Sequence, residues 1–193
     1  MPLSALKVLE LNKEHNLIDG LCKRELENPE GVELELRVGK IAKIVGDSYL
    51  GVKKRYSPKT EVIADIKKDG EKEVTMKPGD YFLVGTIEKI NCPSEKVKYE
   101  KDLPPRYLMP NIYPRTSLFR GGVILVPSIT NPGYKGSLTF GLYNAGGKKF
   151  TLELGSRMFK IVFEPVIGEI KRAYSGQHQS GRTTSQGEEE LQN

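Results

Sequence analysis

The sequence predicts an all-β domain, on three observations. Apolar residues recur with period two along most of the chain, Gly, Pro and Asp separate those runs, and no long stretch shows the periodicity of an amphipathic helix. With 20 Gly and 12 Pro among its 193 residues, the chain is rich in turns and long enough for one domain with its own core. About ten short strands of this kind close most naturally into a sandwich, a jelly roll or a barrel.

At the N-terminus helix and strand are poorly separated: residues 6–11 read as a first strand and residues 13–21 as a short helix or turn. Residues 32–45 alternate through Leu34, Leu36 and Val38 as the next strand. Residues 61–66 and 73–76 flank Asp69-Gly70, a dipeptide suited to the positive φ angles of a tight turn, and so read as a hairpin. Pro78-Gly79-Asp80 turns the chain into the apolar run 81–90, after which Pro93, Pro104, Pro105, Pro110 and Pro114 punctuate an irregular stretch. Strands resume at 122–126, 137–143, 149–154 and 158–163. After Tyr174 the composition turns to Ser, Gly, Gln, Thr and Glu, with too few apolar side chains to order the segment alone. The expected division is a β domain over 1–172 and a flexible tail over 173–193.

A net charge of +5 and a pI near 9.0 invite a nucleic-acid partner, because Lys and Arg neutralise phosphates. The distribution argues otherwise. Most Lys residues stand beside Glu or Asp, as in Lys67-Lys68-Asp69-Gly70-Glu71-Lys72-Glu73, which reads as a solvated hairpin tip rather than a basic stripe. Nucleic acid is therefore not an expected partner, while local positive charge serves a triphosphate equally well. Cys22 and Cys92 make no disulfide framework, and with His15 and His178 they show no zinc spacing. There is no charged-then-apolar leader and no apolar run approaching the roughly 20 residues of a membrane span, so a soluble, cytoplasmic chain is expected. Gly121-Gly122 and Gly146-Gly147 are adequately explained as turns rather than phosphate loops. Cys92-Pro93 lacks the second Cys and the His-x-Glu of a zinc deaminase, and reads as a buried small residue. A catalytic triad would have to recruit His15 or His178 with no nucleophile elbow in sight.

One succession of motifs carries more. Arg115-Thr116-Ser117 with Arg120 is followed by Asn131-Pro132-Gly133-Tyr134-Lys135-Gly136, an alternating strand ending in Gly141-Leu142-Tyr143-Asn144, Gly155-Ser156-Arg157, and Tyr174-Ser175-Gly176-Gln177-His178-Gln179 with Arg182. Singly, hydroxyls and arginines in a turn mostly satisfy backbone groups or surface carboxylates. In this order and spacing they resemble the nucleotide site of the dUTPase and dCTP deaminase superfamily, closest to its archaeal-type dUTPase-like members. A fainter match is Gly31 to Gly39, similar to the family's Gly-Tyr-Asp-Leu-Arg-Val-Gly with Glu35 at the acid position. The resemblance covers roughly residues 28 to 184.

The resemblance implies a distorted jelly-roll or β-clip barrel that assembles as a homotrimer with sites at subunit interfaces, the tail closing over a bound pyrimidine deoxynucleotide. It assigns phosphate contacts to Arg115, Thr116, Ser117, Arg120, Arg157, Gln179 and Arg182, whose hydroxyl and guanidinium groups suit phosphate oxygens. Gly133, Tyr134 and Gly141 fall to sugar and base, and Mg²⁺ is carried by the triphosphate rather than by protein ligands. The implied reaction is dUTP and water to dUMP and pyrophosphate. Asn131 stands where the family's water-activating Asp stands, and an amide can hydrogen-bond a water but not take its proton. Gly141 stands where the deaminase branch has its proton-shuttling Glu, and Lys160 where Gln is frequent. Three readings of Asn131 stay open: a protein that binds nucleotide without hydrolysing it, an introduced replacement, or a site rescued by another acid such as Glu35. Deamination of dCTP is the least favoured activity.

Overall fold

The computed structural model describes residues 1–191; the last two residues of the tail, 192 and 193, lie outside the described residues. Its principal sheet has eight strands. Six follow the order β8 (Tyr107–Pro114), β12 (Arg157–Val166), β2 (Leu34–Ile44), β7 (Tyr81–Asn91), β10 (Lys135–Asn144) and β9 (Val123–Val126), with β1 (Ile18–Asp19) on β7 and β5 (Thr60–Asp65) on β2. Every pairing in it is antiparallel. Two small sheets complete the fold: β6 (Glu73–Met76) with β11 (Phe150–Glu153), and an arm of β3 (Tyr49–Leu50) and β4 (Lys54–Tyr56) joined by β13 (Glu189–Leu191) from the tail. The all-β expectation is borne out, and the strands expected over 32–45, 81–90, 122–126, 137–143, 149–154 and 158–163 are present with small shifts of their ends. Inward residues of several strands meet in one core, where Leu34, Leu36, Ile41, Met76, Ile90, Leu108, Leu142, Leu154, Phe159 and Phe163 are fully buried and Phe140 tilts against Phe159.

The N-terminal run expected as a strand is a helix, α1 (Ala5–His15). Ser4 accepts from the Lys7 N–H at its start, and Asn16 closes its end in the left-handed region at φ 48. Ala5, Val8 and Leu11 face the core at helical spacing while Leu6 is exposed, a pattern six apolar-rich residues are too few to show in the sequence. The expected hairpin about Asp69-Gly70 is also absent. Asp65 caps a helical turn, α3 (Ile66–Asp69), by accepting from the Lys67 N–H, and Gly70 ends it at φ 66. The flanking strands then go to different partners, β5 to β2 and β6 to β11. The stretch taken as irregular contains strand β8, in which Pro110 lies opposite Phe163 and Pro114 opposite Phe159. Proline lacks the N–H of an inner ladder but is tolerated at an edge, and β8 is the edge. Two short helical turns, α2 (Lys23–Glu27) and α4 (Thr116–Arg120), complete the element list.

Replacing Val8 by Ala should cost about 1–3 kcal/mol of stability in urea unfolding, and Leu6→Ala within about 0.5 kcal/mol, a contrast that a strand over 6–11, which puts residues 6 and 8 on one face, would not produce.

Candidate functional site

A cavity of about 660 Å³ lies against the principal sheet. β7 supplies Tyr81 and Leu83, β10 supplies Leu138, Thr139 and Phe140, and the turn before β10 supplies Asn131 and Tyr134. The arm and its return close one side with Ser48, Ser57, Pro58 and Thr60, and the tail another with Tyr174, His178 and residues 182–185. Among the described residues, the lining contains no Asp or Glu. Asn131 is exposed, whereas the Tyr134 side chain is buried against Tyr174 and its hydroxyl donates to the Ser137 carbonyl. Burial pushes the Tyr134 hydroxyl up to about 12. His178 is held below the ordinary histidine value by desolvation and by the nearby Arg182 and Arg55 guanidinium groups.

The tail reaches this cavity along a track of glycines. The Tyr174 N–H donates to Pro132 O and the Ser180 N–H to Lys135 O, both at 2.7 Å. A Cβ on Gly133 would stand 2.8 Å from Tyr174 N, and one on Gly136 would stand 2.3 Å from the Ser180 carbonyl carbon. Both glycines also have φ in the region that side chains avoid, +95 and +140. The Gln179 amide donates to Gly133 O and accepts from the Lys135 N–H, so this expected phosphate ligand clasps the turn instead. Arg182 lines the cavity and pairs with Glu190. Farther on, Ser185 exchanges bonds with Thr60, and Lys54–Glu189 at 2.9 Å accompanies the β4–β13 pairing.

The remaining expected phosphate ligands gather elsewhere. Glu25 and Glu35 are buried side by side, the Glu35 N–H donating to Glu25 Oε2 at 2.9 Å. Arg115 Nε lies 2.7 Å from Glu35 Oε1, Arg157 Nη1 2.5 Å from Glu35 Oε2, and Arg24 Nη1 2.7 Å from Glu25 Oε1. Glu35, expected as a supporting acid, thus has both oxygens committed to guanidinium groups. Thr116, Ser117 and Arg120 lie exposed on α4 beside this cluster, and Arg120 forms no ion pair among the described residues. None of Glu35, Arg115, Thr116, Ser117, Arg120 and Arg157 lines the cavity.

Gly141 has a reason that sequence reasoning missed: a Cβ there would stand 1.9 Å from the Tyr81 hydroxyl. Tyr81 carried no sequence signal, because its importance depends on a neighbour across the sheet. Among the described residues no group of three His, Cys, Asp or Glu is placed to hold a metal ion, and no helix is long and apolar enough to cross a membrane. The Cys92 thiol is buried and pushed up to about 12, which disqualifies it as a nucleophile and fits a small core residue.

Comparison with known proteins gives a family match over residues 3–166, to the family described as dCTP deaminase-like. The dCTP deaminase of Thermococcus kodakarensis is 31% identical over 166 residues, covering 86% of each chain. A probable deoxyuridine 5'-triphosphate nucleotidohydrolase of Methanothermobacter thermautotrophicus is 30% identical over 156 residues, covering 80% of this chain and 89% of its own. Among solved structures, the 2'-deoxycytidine 5'-triphosphate deaminase of Agrobacterium tumefaciens superposes with a TM-score of 0.58 at 14% identity, covering 86% of this chain. This chain spans 48% of that one, and the likeness shows the shared fold.

Two changes probe the site's construction. Gly136→Ala should dislodge the tail, seen as faster proteolysis within residues 175–185 and a loss of about 1–3 kcal/mol from strain at a positive φ. Glu35→Gln should cost about 1–3 kcal/mol in urea unfolding, since it removes the charge shared by Arg115 and Arg157 while those partly exposed arginines keep access to water.

Proposed function

This chain belongs to the dCTP deaminase-like family, and on that premise we propose that it is a dUTPase-like protein that binds a pyrimidine deoxynucleoside triphosphate without hydrolysing it efficiently. The observation that carries the reading is the cavity lining, which combines apolar walls with Asn131, Tyr134 and Arg182 and offers no carboxylate among the described residues. The relatives' names supply the ligand class, since both dCTP and deoxyuridine triphosphate are pyrimidine deoxynucleotides.

Attack of water on the α-phosphorus needs a proton acceptor. The Asn131 amide can orient that water and cannot accept its proton, and loss of a general base costs about 10²- to 10⁴-fold. Gly141 offers no side chain for proton transfer at a cytosine ring. The base and sugar would lie between Tyr134 and the sheet, with Arg182 toward the phosphates. Arg115, Thr116, Ser117, Arg120 and Arg157 would complete the phosphate site from a neighbouring copy in a homotrimer, which is why one chain holds them apart from the cavity. Exposed Ile124, Val126 and Tyr143 give β9 and β10 an apolar face suited to such contact. Mg²⁺ would arrive on the phosphates, as the chain's own residues form no cage for it.

A second reading, dUTP diphosphatase activity, is favoured by His178. It lines the cavity, and its lowered pKa keeps it neutral at pH 7 and therefore able to accept a proton.

Incubation with Mg²⁺ and dUTP, dCTP or dTTP, reading binding, pyrophosphate and ammonia together, tests both. The expected result is nucleotide binding, no ammonia, and pyrophosphate release from dUTP that rises about 10²-fold or more in Asn131→Asp. Residual release abolished by His178→Asn, and lost as the pH falls through the histidine's titration, supports the second reading. Ammonia from dCTP, or no binding at millimolar nucleotide, overturns the proposal.

A further inference from the structure

We propose that Tyr81 reads the polar edge of the bound base, and that its phenol makes the site accept uracil and cytosine alike; this rests on the nucleotide-binding reading above. Tyr81 opens β7 opposite Tyr143 on β10, and Gly141 follows two residues before Tyr143 on the same strand. An ideal Cβ on Gly141 would stand 1.9 Å from the Tyr81 hydroxyl oxygen, 2.6 Å from Cζ and 3.1 Å from Cε2. The ring therefore lies down along the sheet over Gly141. Any side chain at 141 would lift it away, so the missing side chain and the tyrosine are one device.

The device leaves in the cavity wall a hydroxyl with no protein partner among the described residues, open to a ligand or to water. Of the three tyrosines that line the cavity, Tyr134 donates to the Ser137 carbonyl and Tyr174 accepts from the His178 N–H. Tyr81 alone has no hydroxyl partner among the described residues. Its neighbours in the lining include Leu83, Leu138 and Phe140 together with Thr139, so the oxygen belongs to a wall of apolar side chains with hydroxyls among them. A wall of that kind suits a flat ring that is apolar on its faces and polar on its edge.

The chemistry of the phenol then decides what it can tell apart. Its O–H rotates, donating to a carbonyl oxygen or accepting from an amino group. Uracil presents the first and cytosine the second at the same ring carbon. A carboxylate or an amide fixed in place would favour one of them; a phenol pays nearly the same for both. Discrimination between the two bases is thus absent where Tyr81 meets the ring.

The test compares dUTP, dCTP and inorganic tripolyphosphate by calorimetry on the wild-type chain, Tyr81→Phe and Gly141→Ala. The wild-type chain is expected to bind dUTP and dCTP within about 5-fold of each other, and Tyr81→Phe to weaken both by about 10-fold, the worth of one neutral hydrogen bond. Tripolyphosphate affinity and melting temperature should not move in Tyr81→Phe, since the lost hydroxyl bonds nothing in the fold. Gly141→Ala should cost the nucleotides a similar factor by displacing the ring, and the double variant should lose no more than either single one. Tyr81→Phe binding both nucleotides as the wild type does, or a wild-type preference above about 50-fold for one base, overturns this inference and leaves the nucleotide reading standing. Failure of the wild-type chain to bind either nucleotide overturns that reading and this inference with it.

Discussion

The ion pair between Arg37 and Glu88 holds the point at which the principal sheet bends. Glu88 sits on β7 with its side chain fully buried, accepting from the Arg37 backbone N–H at 2.8 Å and from Arg37 Nε at 2.7 Å. Arg37 also donates to the Gly20 carbonyl, which ties in the turn after β1. Burial pushes the Glu88 carboxyl upward and the Arg37 bonds oppose it, so the carboxylate tolerates its place only while the arginine stays. Around these residues β2 slips register against β7, between Val38 and Lys40, and β12 slips against β2 between Arg157 and Phe159. Gly39 lies within the slip, where a Cβ would come 3.0 Å from the Ile87 backbone nitrogen. Bulges of this sort sharpen strand twist and let a sheet curl toward closure.

From that bend the two parts of the candidate site diverge along one strand. Upstream, β2 offers Glu35 to Arg115 and Arg157; downstream, it pairs with β5 and ends at Ile44, which lines the cavity. At about 3.3 Å per residue, the nine residues from Glu35 to Ile44 span up to about 30 Å. Cationic cluster and cavity therefore lie toward opposite ends of one strand.

What the sequence made legible follows from how local each signal is. The strands β2, β7, β9, β10, β11 and β12 announce themselves as short apolar-rich runs set off by turn residues. α1 did not, since Ala5, Val8 and Leu11 share their short run with the exposed Leu6 and so mix two periods. Asp69-Gly70 carried a true turn signal that the Asp65 cap converted into a helical turn. In the site, the motif residues were legible as a set, but their partners were not. Glu25 joins the arginine cluster from ten residues before Glu35, and Tyr81 meets Gly141 across a strand pair. The tail's polar composition is real; what composition hides is that the body supplies glycines where any side chain would crowd the tail's backbone.

That seating sets how firmly the cavity exists. Its sheet wall is anchored in the buried core, through Leu138 and Phe140, while its outer wall is tail, held by backbone bonds, the Gln179 clasp and solvent-facing pairs such as Lys54–Glu189. Surface ion pairs are each worth little, about 0–1 kcal/mol, so the docked tail belongs to the low-stability end of the molecule. A ligand gripped between the two walls gains affinity only after the tail has been ordered, and a tail already seated on the glycine track has met most of that entropic cost beforehand. Charge at Glu189, Glu190 and Lys54 therefore bears on the docking equilibrium of the tail, and salt that screens those pairs acts on the same equilibrium.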